Sequence, residues 1–128
     1  MIGIDTNVLV RYIAQDDRAQ SAAATAFIEQ QCTTESPGFV GLVVVVEVVW
    51  VCQSAYGATR TDIAEIVRRM LTSRQLLLQD ADVVWKALRQ FAAGRADFAD
   101  CLIHQSADSA GCSKIVTFDR RSGMTLLR

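Results

Sequence analysis

The chain has 128 residues, 51% of them apolar, and a formal net charge of −1. This length suits a single domain over residues 1–128 with a real core and is too short for two. The apolar share and the single proline argue against disorder, and near-zero net charge neither announces nor excludes a nucleic-acid partner.

No membrane span is expected. The longest apolar run, residues 39–52, falls short of the roughly 20 residues a bilayer requires and is interrupted by Glu47. The opening MIGIDTN has neither a basic region nor a small-residue cleavage site, so it does not read as a secretory signal. Cys32, Cys52, Cys101 and Cys112 form no C-x-x-C pair, and His104 is the one histidine. The cysteines are therefore expected as small buried hydrophobes rather than a zinc set. Free thiols without a signal point to a reducing cytoplasm. Before residue 60 the basic residues are Arg11 and Arg18; the others run from Arg60 to Arg128, Arg121 among them. Such asymmetry can supply a phosphate-facing surface, although each Arg alone also suits a solvated helix face.

In chain order, Met1–Ile4 reads as a short buried strand ending at Asp5. Thr6 and Asn7 offer helix-capping side chains, and Val8, Leu9, Tyr12 and Ile13 recur at helical spacing. A second helix is expected over Gln20–Cys32, with Ala23, Ala24, Phe27 and Ile28 on its apolar face, broken by Ser36-Pro37-Gly38. The next segment is ambiguous. Its valines favour a strand, while the spacing of Val46, Val49, Trp50, Gln53 and Tyr56 favours a helix. The reading adopted is a strand near Gly38–Val40, then a helix carrying Glu47 and ending near Gly57.

Thr61–Ser73 follows as an amphipathic helix with Ile63, Ile66, Val67 and Met70 on one face. Leu76–Leu78 is a compact strand. A helix lined by Val83, Val84, Ala87, Leu88 and Phe91 then runs to Ala93-Gly94, with Asp80 or Asp82 as its cap. Asp97–Ala110 is another helix, closed by Gly111. Lys114–Phe118 is a strand ending at Asp119, and Met124–Leu127 a short edge strand. Strands alternating with helices imply an α/β fold: a mostly parallel central sheet with helices on both faces.

The acids carry the chemistry. Asp5 and Asp119 each follow a parallel strand, at the edge of an open α/β sheet where ligands bind. Asp97 and Asp100 lie three apart in ADFAD, with His104 one turn beyond. Asp97 also suits an N-cap, and Asp100 a first-turn position favoured by the helix dipole. Glu47 stands inside VVVVEVVWV, where a carboxylate buried without a partner costs several kcal/mol. Acids converging without matching cations repel, by roughly 4 kcal/mol per pair at about 4 Å and an effective dielectric near 20. They protonate or bind a cation, and oxygen donors without a Cys or His cluster select Mg²⁺ or Mn²⁺ over zinc. Such an ion activates water towards phosphorus, so phosphodiester hydrolysis is the natural chemistry. Thr6, Asn7 and Thr117 could steady the carboxylates or metal-bound water, or serve as caps and turns. His104 is left outside the catalytic set.

Taken together, IDTNVLVRYIAQDD, VVEVVWV, ADFADCLI and VTFDRR resemble the PIN-domain family, most closely the VapC-type toxins of prokaryotic toxin–antitoxin pairs. The likeness spans nearly the whole chain in the right order. It implies a three-layer α/β/α sandwich and a Mg²⁺- or Mn²⁺-dependent endoribonuclease. It carries the acidic positions over as Asp5, Glu47, Asp100 and Asp119. Asp5 and Asp100 would be the principal metal ligands, with Glu47 and Asp119 helping to activate water and Asp97 joining the site or capping the helix. It further implies an RNA substrate, a homodimer and a cognate antitoxin whose tail enters the acidic groove. His104, where a small residue is more usual, and the β-branched run before Glu47 depart from the pattern without removing an acid.

Two other readings start from the same residues. A haloacid-dehalogenase-type phosphatase wants Asp-x-Asp after its first strand, whereas this chain has Asp5-Thr6-Asn7; a phosphoryl-receiver domain wants a Lys after a late strand, whereas Arg120 follows Asp119. A non-catalytic RNA- or protein-binding scaffold of the same fold would be expected to have lost acids that are all present here.

Overall fold

The structure is a computed structural model that describes residues 1–120 and 124–127. Arg121 and Arg128 lie outside the described residues, as do Ser122 and Gly123. The chain separates into two compact units, Met1–Ala81 and Asp82–Arg128.

The first unit begins with β1 (Ile2–Gly3) and α1 (Thr6–Ala14), followed by α2 (Arg18–Ala26), which continues as one π-helical turn over Phe27–Gln31. Then come β2 (Gly38–Val40), α3 (Leu42–Tyr56), α4 (Arg60–Thr72) and β3 (Leu76–Leu78). The three strands form a parallel sheet in the order β1-β2-β3, with Gly38 opposite Ile2 on one side and Leu76 on the other. β1 is thus an edge of this sheet. That position explains why Ile2 is 53% exposed although a buried strand was expected; Ile4, just beyond the strand, is buried. Gly38 is required by a close approach, since a Cβ there would come within 2.3 Å of Ile4 Cδ1 and 3.2 Å of Cys32 Sγ.

Capping explains most of the shifted boundaries. α2 starts earlier than its apolar face suggests because the Asp17 side chain accepts from Gln20 N at 2.9 Å. α4 opens on a reciprocal capping box, with Thr59 Oγ1 accepting from Asp62 N and Asp62 Oδ2 accepting from Thr59 N. α3 is the instructive case. Its valines each cost a few tenths of a kcal/mol in a helix, and Gly41 at its N-cap has no side chain to offer. The burial of Val45, Val48, Val49 and Cys52 offsets the first cost. Gln79, just past β3, supplies the missing cap: its Oε1 accepts from Leu42 N at 3.0 Å while its own N–H donates to Val40 O. The helix closes at Gly57, whose φ of 64° suits a residue without Cβ.

The second unit contains α5 (Ala81–Ala93, its first residue ending the first unit), α6 (Phe98–Ser109), β4 (Val116–Thr117) and β5 (Thr125–Leu126). β4 and β5 pair in parallel as a two-stranded sheet of their own. β4 is shorter than the expected Lys114–Phe118. Val84, Ala87, Phe91, Phe98 and Cys101 form the buried core, where the rings of Phe91 and Phe98 meet edge to face with centroids 5.8 Å apart. None of the four cysteines is in a disulfide; Cys32, Cys52 and Cys101 are buried as expected, but Cys112, beyond the end of α6, is exposed. Among the described residues no helix is long and apolar enough to cross a membrane. Helices alternating with parallel strands put the chain in the α/β class expected from its sequence.

Candidate functional site

In the first unit, Asp5 follows β1 by two residues and is the N-cap of α1. Its Oδ1 accepts from Thr6 N at 2.8 Å, and the carboxylate is otherwise open to solvent. Thr6 is 94% buried, and among the described residues its Oγ1 has no hydrogen-bond partner. A buried hydroxyl in that state carries an unmet polar demand beside Asp5. Asn7 is exposed, and its amide makes no hydrogen bond among the described residues.

Glu47 corrects the reasoning from sequence. The helical turn puts Val45, Val48 and Val49 inside and leaves Glu47 exposed, without a hydrogen bond or ion pair among the described residues. The expected cost of burying a lone carboxylate therefore does not arise. A run of valines hid the outward face of α3, which Glu47 shares with the exposed Val43 and Trp50.

In the second unit three acids come into electrostatic reach. Asp97 caps α6, its Oδ1 accepting from Asp100 N at 2.8 Å. Asp100 lies half-buried in the first turn, and Asp119 follows β4 by two residues. Burial pushes the Asp100 carboxyl above the usual range, and the negative charges of Asp97 and Asp119 push it further, as does its hydrogen bond with Asp97. Asp97 thus both caps the helix and belongs to the acidic cluster. The Thr117 hydroxyl accepts from Asp119 N at 3.0 Å and so shapes the turn that carries Asp119. His104 shares a 3.1 Å hydrogen bond with Gln90 Oε1.

Among the described residues, no group of three or more His, Cys, Asp or Glu is gathered closely enough to form a metal cage. The donor chemistry nevertheless suits a hard divalent ion. Asp97, Asp100 and Asp119 offer only carboxylate oxygens, and a cation would offset both the burial and the like-charge repulsion that raise the Asp100 carboxyl. Mg²⁺ commonly binds through one or two carboxylates and keeps several waters, so a preformed cage is not required.

Residues that the sequence reading passed over lie beside Asp5. A cleft of about 740 Å³ in the first unit is lined by Asp5 and Asn7, by Arg11 further along α1, and by Gln20, Ala23 and Phe27. Arg11 is anchored at 3.1 Å to Asp16, and its Nε donates to Gln20 Oε1 at 2.7 Å. The signal was present in the sequence, because Asn7 and Arg11 stand one helical turn apart on α1. What was missing was the position of α2.

A family model of the PIN domain matches residues 2–124, a span that runs through both units. The chain is also 25% identical over 118 residues to a VapC ribonuclease of Aquifex aeolicus (strain VF5), covering 92% of this chain and 87% of that protein. The order of helices and parallel strands, the aspartates after β1 and β4, and a family match over nearly the whole length lead to one conclusion: the chain belongs to the PIN domain family.

Proposed function

We propose that this chain is an endoribonuclease that hydrolyses RNA phosphodiester bonds with Mg²⁺ or Mn²⁺, acting in the cytoplasm as the toxin of a type II toxin–antitoxin pair. The observation that carries the reading is its likeness, over nine-tenths of its length, to a protein named as a VapC ribonuclease. The raised Asp100 carboxyl among like charges supports it, because that is an environment a cation stabilises. The reading treats residues 1–128 as one functional domain, paired as a homodimer and silenced by a cognate antitoxin. No observation favours the phosphatase, receiver or binding-scaffold alternatives.

In this reading Asp5 and Asp100 hold the ion, while Glu47 and Asp119 complete the acidic pocket and orient the attacking water. A divalent ion held there would supply the positive charge that makes water more acidic and offsets negative charge developing at the phosphate. Asp97 keeps the first turn of α6 in register, so that Asp100 is presented from a capped helix.

The test is cleavage of RNA in Mg²⁺ or Mn²⁺ against the same reaction in chelator. Asp5→Asn and Asp100→Asn are each expected to lower the rate by about 100-fold or more, with circular dichroism unchanged. Equal cleavage with and without metal rejects the reading. So does release of phosphate from small phosphomonoesters with no effect on RNA, or tight RNA binding that no divalent ion converts to cleavage.

A further inference from the structure

The cleft beside Asp5 has features that acid-and-metal chemistry does not use. Its volume, about 740 Å³, lies within the range typical of small-ligand sites, roughly 300–1,000 Å³. Ala23 on α2 leaves room where a larger side chain would fill it, and Phe27 contributes an aromatic ring at the junction with the π-helical turn.

The polar groups are specific in kind. Arg11 Nε donates to Gln20 Oε1, which turns the amide oxygen of Gln20 towards the guanidinium. The amide N–H groups of Gln20 then have no partner among the described residues. Asn7, one turn before Arg11, presents an amide donor and acceptor that have no partner among the described residues. Ligand chemistry follows from this set. A small inorganic anion would meet Arg11 but also the carboxylate of Asp5. An apolar peptide side chain would leave both amides unmet, at a desolvation penalty. A nucleobase satisfies the whole set, because it has a flat face for Phe27 and a hydrogen-bonding edge for Asn7 and Gln20, the side chains whose amides pair with base edges.

We propose that this cleft takes one unpaired base of the RNA strand, beside the phosphate to be cut, with Asn7 and Gln20 reading its edge and Phe27 packing on its face. The inference rests on the ribonuclease reading for its substrate class, and it assigns base preference to α1 and α2 rather than to the acids. Single-stranded segments are the required substrate, since a paired base cannot enter.

The experiment measures binding of four homopolymeric single-stranded RNA trinucleotides to the full chain in chelator, where cleavage does not interfere. The wild type is expected to favour one base by ~10-fold. Gln20→Ala should bring the four affinities to within about twofold, and Ala23→Phe, which fills the cleft from an exposed helical position, should weaken all binding by ~10-fold. In Mg²⁺ the same two changes should appear in KM rather than kcat. Equal affinity for all four bases in the wild type overturns the proposal. So does an Ala23→Phe protein that melts normally and binds as the wild type does, or a cleft that takes a peptide while RNA is indifferent to Ala23→Phe. If Ala23→Phe does not fold, Gln20→Ala alone decides. Cleavage that persists with unaltered base preference in Gln20→Ala removes the cleft and spares the nuclease. Base-selective binding sensitive to Gln20→Ala, without cleavage in any divalent ion, keeps the cleft and removes the nuclease.

Discussion

The two units use the same device, an aspartate capping a helix, and give it different electrostatic surroundings. In the first unit Asp5 caps α1 through a bond to the neighbouring Thr6 N–H, with its carboxylate facing water. In the second unit the cap is Asp97, and beside it sits Asp100, half-buried and facing the charges of Asp97 and Asp119. An aspartate at a helix start needs no further explanation. A second, partly desolvated one within reach of two other acids does, since charge crowding destabilises the ionised form. Capping alone therefore accounts for Asp97 but not for Asp100.

The strongest way to test the separation of the units is to damage one core. Phe91→Ala removes a ring that packs on Phe98 inside the second unit and should cost about 3–5 kcal/mol. Thermal unfolding followed by circular dichroism reads the result. One transition moved as a whole means the units fold as one domain, whereas an early second transition means they fold apart.

Asp100→Asn sharpens the contrast between charge and cap. Cleavage should fall as stated above while the melting temperature holds or rises, because the substitution removes a carboxylate held against two others. A clear loss of stability would mean that Asp100 serves structure rather than chemistry.

Asp97→Ala should cost about 1 kcal/mol, the usual value of a lost N-cap. Asp97→Asn should restore most of that, since an amide oxygen still caps. The same Asn variant should lower the Asp100 pKa by removing one neighbouring charge, which NMR titration of the carboxyl carbon would show.

The smallest effect lies in the first unit, at the tie between the α1–α2 connection and the end of α3. The Tyr56 hydroxyl donates to Asp16 at 2.5 Å, and Arg11 donates to both. The Tyr56 bond, and then Arg11, hold the Asp16 carboxyl below the usual carboxylate range. A carboxyl lowered in the folded state adds stability above its unfolded pKa, near 4, and that stability disappears as pH falls through the lower folded value. The wild type should therefore lose slightly more melting temperature on acidification through that window than Tyr56→Phe does. Equal slopes would show that the tie contributes nothing.

Helices were the most legible part of the chain, because a capping residue and an apolar period are both local. Asp97 could be read as a cap directly, and Asp17 and Thr59-x-x-Asp62 stand in the sequence as plainly, though apolar spacing alone set those boundaries a residue or two late. The acids were legible as residues and as positions after strands, but their environments were not. Glu47 looked buried because seven valines surround it; the helical period turns it outward. Thr117 was open to either a carboxylate or a turn, and its hydroxyl accepts from the Asp119 backbone N–H.

By itself the sequence determined the α/β class, most of the elements and a family likeness carried by Asp5, Glu47, Asp100 and Asp119, since these depend on local periodicity and residue type. Tertiary structure alone decided that Gln79 caps α3 from the end of the neighbouring strand β3, that Asp119 adds its charge to Asp100, and that α2 helps to line a cleft with Arg11 and Asn7. Each of these joins residues far apart along the chain. Their proximity depends on how helices and strands pack, which no local pattern encodes.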